Sequence, residues 1–233
     1  SEASPGRSEA GLRDAIAGPL ERALAGIPPT RNEVEALFGA RGAEVEAIAQ
    51  VADILRNRAV GDRVTYVVNR NINYTNQCTY RCGFCAFSKG PRSLNLRGDP
   101  YLLEIHEVAR RAREAWERGA TEVCLQGGIH PSFTGDFYVG VVEAVKEAAP
   151  EIDIHGFTPL EVWQGAETLG IPISDFLVRL RDAGLGTLPG TAAEILDDRV
   201  RRHLCPDKIR TAQWAEVMLT AHGSVDSAVE AMK

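Results

Sequence analysis

Three of the five cysteines in this 233-residue sequence fall close together, as Cys78, Cys82 and Cys85. Their spacing, Cys-x-x-x-Cys-x-x-Cys, concentrates thiolates, which are soft ligands that favour zinc, copper(I) and iron-sulfur clusters. No fourth cysteine or histidine follows at the short spacing that closes a tetrahedral zinc site. A cubane cluster held by three cysteines keeps one iron without a protein ligand, and that iron can bind a small molecule. The sequence therefore predicts a metal centre with one open position.

Two other kinds of site could use the same three thiolates. A zinc site could be completed by a distant residue such as His130, and a ferredoxin-like electron-transfer cluster could be completed by Cys124 or Cys205. Cys124 lies inside the apolar run EVCLQ, which is typical of a small buried side chain. Cys205 stands alone beside a proline and is predicted to have no role of its own.

The cysteine loop is predicted to lie just beyond the carboxyl end of a strand, where parallel sheets and barrels place their active sites. Four short apolar or β-branched segments are typical of strands: residues 63–72, 121–128, 152–159 and 185–190. Apolar residues at spacings of three and four predict helices between and after them: residues 102–119, 137–149, 173–183, 192–204 and 211–222, with Ser174 capping the third. This alternation implies right-handed βαβ units and a parallel sheet.

The predicted fold class is therefore α/β, with three regions along the chain. Residues 1–62 form a helical segment whose first ten or so residues are disordered and in which Thr30 caps a helix. Residues 63–222 form a partial barrel of about four strand–helix units, whereas a complete eight-unit barrel takes about 250 residues. Residues 223–233 are predicted to be a divergent tail, so that the barrel stops early.

Composition excludes several classes of protein. The net charge of -6 and the pI near 5.5 argue against nucleic-acid binding, which needs a basic surface. No apolar run approaches the roughly 20 residues of a membrane helix. The opening residues lack the basic and apolar regions of a signal peptide. We therefore expect a cytoplasmic protein that binds neither nucleic acid nor membrane, in which clustered thiols serve metal chemistry rather than disulfides.

The cysteine motif, with the aromatic Phe84 directly before Cys85, resembles the signature of radical S-adenosylmethionine (SAM) enzymes. In that family the open iron chelates the amino and carboxyl groups of SAM, and an electron from the cluster splits SAM to give a 5'-deoxyadenosyl radical. The resemblance implies a partial (β/α)6 barrel, a 4Fe-4S cluster on Cys78, Cys82 and Cys85, and SAM as a second cofactor near Phe84.

Five shorter motifs narrow the resemblance: NINYTN, CAF, QGGIHP, HGFTPLEV and PGTAAEIL. Together they are similar to the group that contains the FO synthase subunit CofH and the menaquinone-pathway enzymes MqnC and MqnE, over about residues 64–222. His130 in GGIHP, the Thr191–Ala193 stretch of PGTAAEIL and the LCPDK motif at 204–208 favour CofH over MqnC.

The glycine motif at the end of the second predicted strand comprises Gln126, Gly127 and Gly128. Glycines allow a ligand to approach the backbone closely, and free carbonyls at a strand end can accept hydrogen bonds from an ammonium group. The resemblance implies that this motif receives the amino group of SAM. The alternative is a turn that needs glycine for a positive φ.

Polar residues at other strand ends are further candidates for the site. His155 and Glu161 flank the third predicted strand and Glu194 follows the fourth, as contacts for SAM or substrate. Tyr74 and His130 are the candidates for proton transfer. Each of the five could instead cap a helix or bond a neighbouring group.

The resemblance implies a transferase that joins the 4-hydroxybenzyl group of L-tyrosine to 5-amino-6-(D-ribitylamino)uracil, a step toward coenzyme F420. It also implies an external electron donor and the pathway partner CofG. Cyclisation of dehypoxanthine futalosine is the alternative reaction. A truncated, non-catalytic cluster-binding fragment is the alternative from outside the enzyme class.

Overall fold

The computed structural model of this protein describes residues 9–89 and 98–223. The chain divides into two compact units between Tyr66 and Val67, whereas the sequence places the boundary after residue 62. Residues 1–8 and the predicted tail beyond Gly223 lie outside the described residues. Glu9 and Ala10, which were predicted to be disordered, begin the first helix instead.

The described part of the first unit contains three helices, α1 (Glu9–Leu24), α2 (Arg31–Phe38) and α3 (Ala43–Val60). The predicted cap on α2 is confirmed, and it is a complete capping box. The Thr30 hydroxyl accepts a hydrogen bond from the Glu33 amide, and the Glu33 carboxylate accepts one from the Thr30 amide. Each side chain therefore satisfies a backbone donor that the first turn of the helix leaves free.

The second unit is built on a three-stranded parallel sheet with the strand order β1-β2-β3. The strands are β1 (Asn69–Asn73), β2 (Glu122–Gln126) and β3 (Asp153–Gly156). The register sets Asn73 beside Gln126 at the ends of the first two strands. Because the strands are parallel, their carboxyl ends meet at one edge of the sheet, and the segments that follow them lie together.

Six helices accompany this sheet among residues 67–89 and 98–223. They are α4 (Ile105–Glu117), α5 (Gly135–Ala148), α6 (Pro159–Leu169), α7 (Ile173–Ala183), α8 (Asp198–Leu204) and α9 (Thr211–Gly223). Helix α5 packs against α4, α6 and α7, and α9 packs against α6 and α7. Within the described residues, no helix is both long enough and apolar enough to span a membrane.

Alternate residues of the strands point to opposite faces of the sheet. Val123, Leu125 and Ile154 are buried in one core with apolar residues of the helices. Cys124 and His155, on the other face of the same strands, are only half-buried. The helices therefore cover one face, and the other face carries the polar side chains.

All four predicted strands extend beyond the paired residues of the structure, and the first and the fourth differ most. The first begins only at Asn69, because this residue pairs with Glu122, the first residue of β2, and earlier residues have no strand to pair with. The fourth, at residues 185–190, is reduced to a single parallel bridge between Thr187 and His155. Pro189 has no amide N–H to extend a ladder of hydrogen bonds.

Three helical predictions also needed correction. The helix predicted at 192–204 begins only at Asp198, because Ala192 and Glu194 have positive φ angles of 62° and 45°. Pro172, not Ser174, occupies the N-cap position of α7. Helix α6 was not predicted, although its capping box and terminal glycine were visible in the sequence.

Candidate metal centre and cofactor cavity

The three clustered cysteines lie on an irregular loop between β1 and α4, at the carboxyl edge of the sheet. Cys78, Cys82 and Cys85 all line one cavity, and Phe84 lines it with them. Each thiol is half-buried. The structure therefore brings together the three predicted metal ligands and the aromatic residue between the last two.

Backbone hydrogen bonds hold the cysteine loop from two sides. On the sheet side, the Ile129 amide donates to Cys78 Sγ at 3.4 Å, and the Thr79 amide donates to the Ile129 carbonyl at 2.9 Å. On the other side, the Gly83 amide donates to the carbonyl of Leu204 at 2.8 Å. The Arg81 amide donates to the Asp207 carboxylate at 3.1 Å. The loop conformation therefore depends on residues distant in sequence.

The electrostatics of the loop favour the neutral form of the Cys82 thiol until a cation binds. Burial raises the pKa of the Cys82 thiol to about 12, and the ammonium of Lys208 acts in the opposite direction. A thiolate is the form that ligates metal, so metal binding must displace the proton from Cys82. Without a metal, the Cys82 thiol is therefore a poor nucleophile.

The glycine pair after β2 packs directly against the cysteine loop. A Cβ atom on Gly128 would lie 2.2 Å from the Gln77 carbonyl oxygen and 3.0 Å from Cys78 Cβ, and one on Gly127 would lie 2.5 Å from the Tyr74 ring. Neither glycine has a positive φ. Close packing, against a tyrosine ring at Gly127 and against backbone at Gly128, explains why glycine is needed at both positions, and a turn conformation does not.

Another part of the cavity wall comes from the start of α6 and from the segments before and after α8. It is formed by Thr158, Leu160, Thr191, Ala192, Glu194 and Lys208. Of these, only Glu194 was singled out from the sequence as a site residue. The cap position of Thr158 in the pattern Thr-x-x-Glu was the available signal for the start of α6.

Arg201 holds the segment before α8 in place. Its guanidinium is buried, with only 4% of the side chain exposed, and donates to the carbonyls of Ala193 and Ile195 and to that of Ile209 at 2.7 Å. These bonds stabilise the segment that carries Glu194 at its positive φ. The planar fork of arginine suits such multiple contacts.

Lys208 forms an ion pair inside the cavity wall. Its ammonium lies 2.6 Å from Glu194 Oε1 and 5.7 Å from the centre of the Phe84 ring. Only 10% of the side chain is exposed. The LCPDK motif, one of the features that favour CofH, contains this lysine. The sequence did not predict Lys208 as a residue of the site.

Four predicted site residues do not line this cavity. Tyr74 and Glu161 are fully buried, and their side chains bond each other. His155 Nδ1 lies 2.6 Å from Thr187 Oγ1, and His130 Nδ1 lies 2.7 Å from Ser132 Oγ. Direct contact of these four residues with a ligand stays a prediction.

The residues proposed for a fourth metal ligand are also placed elsewhere. Cys124 lies in the middle of β2, beside Asn71, and Cys205 is buried and lines a different cavity next to α8. Neither these two cysteines nor His130 lines the cavity of the three clustered thiols. Among the described residues, no group of three or more His, Cys, Asp or Glu side chains is arranged to hold a single metal ion.

The donor set therefore fits a 4Fe-4S cluster with one open iron. The loop presents three thiols to one cavity, and the glycine pair leaves main-chain atoms free of side chains beside them. Softness of the ligands favours iron and sulfide over hard cations. Cys78, Cys82 and Cys85 would hold the cluster, and the adjoining space would receive its partner cofactor.

Comparison with known families agrees with this geometry. Residues 72–231 match the family model described as the radical SAM superfamily. Two solved structures have a similar fold. Methylornithine synthase (PylB) has a TM-score of 0.64 and 18% identity, over 88% of this chain and 56% of that one. The FeFe-hydrogenase maturase HydG from Carboxydothermus hydrogenoformans has a TM-score of 0.64 and 18% identity, over 93% and 47%.

Curated relatives are more similar in sequence. This chain is 45% identical over 221 residues to a protein of Streptomyces avermitilis named FO synthase, covering 94% of this chain and 24% of that one. It is 44% identical over 195 residues to the 5-amino-6-(D-ribitylamino)uracil–L-tyrosine 4-hydroxyphenyl transferase of Methanothermobacter thermautotrophicus, covering 84% and 52%. The chain thus spans from about a quarter to about half of the length of these relatives.

Proposed function

This chain belongs to the radical SAM superfamily, and from that premise we propose that it joins the 4-hydroxybenzyl group of L-tyrosine to 5-amino-6-(D-ribitylamino)uracil. Identity of 44% to a relative named for this transfer supports the proposal. The observation that carries it is the single cavity shared by three cysteines and a glycine pair. In this reaction the Cα–Cβ bond of tyrosine breaks and the benzyl carbon bonds to the uracil.

The residues of the cavity divide into two groups by the cofactor they would hold. Cys78, Cys82 and Cys85 would hold the cluster by three irons. Gln126, Gly127 and Gly128 would accept the amino group of SAM through their main-chain carbonyls, and Phe84 would pack beside it. When bound, the two cofactors supply a carbon radical able to take hydrogen from an unactivated C–H bond.

The remaining walls would orient the reactants and exclude water. Phe87, Ile129, Leu160 and Ala192 supply apolar surface to the cavity. A dry cavity protects a reactive radical from side reactions, and fixed orientation lowers the entropic barrier to reaction. Glu194 and Lys208 add a charged pair to these walls.

Two further participants belong to the same proposal. One is an external one-electron donor, because the cluster must be reduced before it can act. The other is CofG, which would complete the ring closure. Both are inferred from the resemblance to the CofH group, and the relatives named FO synthase support the assignment to that pathway.

The proposal can be tested with the 233-residue protein loaded with its cluster under anaerobic conditions. The protein is mixed with SAM, a reductant and either tyrosine plus the diaminouracil or dehypoxanthine futalosine, and products are identified by mass spectrometry. We expect the 4-hydroxybenzyl adduct from the first pair, and none from a Cys78→Ser, Cys82→Ser and Cys85→Ser triple variant. Turnover of dehypoxanthine futalosine alone would reassign the reaction, and no turnover by a cluster-loaded chain would refute the proposed activity for it.

A further inference from the structure

We propose that Glu161 is a positioning residue whose buried carboxylate fixes Gly127 and Gly128 against the cysteine loop, and thereby sets the affinity for SAM. The inference rests on the proposed function, in which the glycine pair receives SAM. It differs from the sequence-based expectation that Glu161 contacts the cofactor itself. Three features of the molecule support it: the contacts of the carboxylate, its burial and a second capping box in the same chain.

The Glu161 carboxylate joins three separate elements. Oε1 accepts hydrogen bonds from the Tyr74 hydroxyl, after β1, and from the Gly127 amide at 3.0 Å, after β2. Oε2 accepts from the Thr158 amide at 2.7 Å, at the start of α6. One side chain therefore ties together the segments that leave the first two strands and the segment that follows the third.

The register of the sheet explains how one oxygen reaches two strands. Asn73 and Gln126 are paired neighbours at the ends of β1 and β2. Tyr74 and Gly127 are the next residue on each chain, so they leave the sheet side by side. Glu161 bonds both just beyond the last paired strand residues. The Gly128 amide donates to the Thr75 carbonyl at 2.9 Å, so the carboxylate adds to a backbone restraint at the next residue and is the bond that holds the Gly127 amide itself.

A second capping box in this chain shows that capping alone does not need a buried carboxylate. Thr30 and Glu33 form the same reciprocal bonds at the start of α2, but there the bonds are exposed to solvent. Glu161 is 0% exposed, and burying a carboxylate is costly unless several hydrogen bonds compensate. The additional bonds from Tyr74 and Gly127 supply that compensation and distinguish the two boxes.

The restrained glycines form part of the cofactor cavity. Gly127 and Gly128 both line it, and Gly128 packs against Gln77 and Cys78 with no room for a side chain. A shift of the Gly127 amide would therefore change the gap between the glycine pair and the cysteine loop. Iron binding depends on the cysteines, so Glu161 is expected to influence SAM affinity and to leave cluster loading intact.

The test replaces the carboxylate by an amide of nearly the same shape, Glu161→Gln. Glutamine can serve in a capping box. Its NH₂ group must, however, face either the Thr158 amide or the Tyr74 and Gly127 donors, and it cannot accept a hydrogen bond from any of them. We expect wild-type iron content and visible spectrum, and about tenfold or greater loss of SAM affinity, the usual range for groups that orient a ligand-binding shell. SAM affinity is measured by calorimetry and by the SAM-induced change in the EPR spectrum of the reduced cluster.

A second measurement uses the cofactor-free protein and requires no activity. Hydrogen–deuterium exchange of the peptide that contains Gly127 should be faster in Glu161→Gln than in the wild type. Glu33→Gln is the matched control, since it makes the same change in the exposed box, and it should alter neither exchange at Gly127 nor SAM affinity.

Tyr74→Phe covers the case in which Glu161→Gln does not fold, because it removes one donor and keeps the carboxylate. It should also weaken SAM binding and speed exchange at Gly127. SAM affinity within about twofold of wild type and unchanged exchange, in whichever variant folds, would overturn the positioning role. Failure of the wild-type, cluster-loaded protein to bind SAM would instead refute the proposed function, while the exchange experiment would still report on the restraint by Glu161.

Discussion

Cys205 is the residue that most directly tests the open coordination position. It lies close enough to Cys82 to influence the pKa of that thiol, yet it lines a different cavity. We predict that Cys205→Ala keeps the iron content of the wild type and the change that SAM causes in the EPR spectrum. Cys82→Ala is the matched comparison and should lose the cluster, because it removes one of three ligands.

The opposite result would identify a closed cluster. If Cys205 supplied a fourth thiolate, SAM would leave the EPR spectrum of the wild type unchanged. Cys205→Ala would then lose iron or become sensitive to SAM.

The buried carboxyl of Glu161 makes the stability of the protein depend on pH. Burial raises its pKa from the ordinary 4.5 to about 7, against hydrogen bonds from Tyr74, Thr158 and Gly127 that lower it. Between these values the folded protein holds a proton that the unfolded chain releases. Stability from this group is thus fully present below about pH 4.5 and is lost as pH rises through 7, by about 3 kcal/mol in total.

The measurement is urea unfolding of the cofactor-free wild type and of Glu161→Gln between pH 5 and pH 8. Glutamine does not titrate. We therefore predict that the difference in free energy of unfolding, variant minus wild type, increases as pH rises. The neighbouring groups, Tyr74, Tyr138 and Cys124, all have raised pKa values and stay neutral over most of this range. Parallel curves for the two proteins would contradict the prediction.

At the scale of elements, the junction between the end of β2 and the cysteine loop tolerates no side chain at Gly128. A Cβ there meets the Gln77 carbonyl oxygen at 2.2 Å. We predict that Gly128→Ala lowers the free energy of unfolding by about 1–3 kcal/mol through overpacking and reduces the iron bound per chain. Urea unfolding and iron analysis after anaerobic loading are the measurements.

Gly18→Ala provides the matched control. Gly18 lies within helix α1 directly before Pro19. Apart from its two chain neighbours and the helix's own backbone, no heavy atom of the described residues lies within 4 Å of the position that a Cβ would take there. Alanine at this position should therefore change the free energy of unfolding by less than about 1 kcal/mol, because the gain from replacing a helical glycine is offset by the crowding of a Cβ against the following proline. Equal behaviour of the two variants would show that the junction is looser than the structure indicates.

The elements that could be predicted from the sequence are those with strong local signals. Periodic apolar spacing located α4, α5 and α9, and Thr30 marked the start of α2. Residues 192–197 carry helix-forming side chains, but the buried Arg201 draws their carbonyls into a non-helical turn. That contact joins the turn to α8 and Ile209. The spacing of apolar residues within one segment cannot predict such a contact.

Element boundaries at the sheet show the same limit. Residues 63–68 have the β-branched composition of a strand, yet Val64 and Tyr66 are 88% and 85% exposed. A strand requires a partner, and β2 begins only opposite Asn69. The length of a strand is therefore decided by its neighbour as much as by its own residues.

At the scale of the whole molecule, the sequence could predict which residues lie at the carboxyl edge of the sheet. It could not predict how deeply each of them is buried. The cysteines, the glycine pair, Phe84 and Glu194 do line one cavity. Glu161 follows a strand in the same way but is fully buried and does not line that cavity. Packing of α6 against its neighbours determines this depth, and packing depends on the complete fold.

Residues that reach the site from far along the chain were the hardest to predict. Lys208 lies on the cavity wall with its ammonium bonded to Glu194, although it comes 123 residues after Cys85 in the sequence. No local pattern distinguishes such a lysine from one on the surface. Only the three-dimensional arrangement identifies it.

The bonds from Gly83 to Leu204 and from Arg81 to Asp207 also constrain when the metal site can form during synthesis. A ribosome makes the cysteines long before it makes the residues that shape their loop. A nascent chain halted before residue 204 would expose three reactive thiols with only the sheet-side contacts to arrange them. We therefore expect a stable cluster to assemble on the three cysteines only after translation has passed residue 204. Cluster insertion would then be a late step in the maturation of the protein.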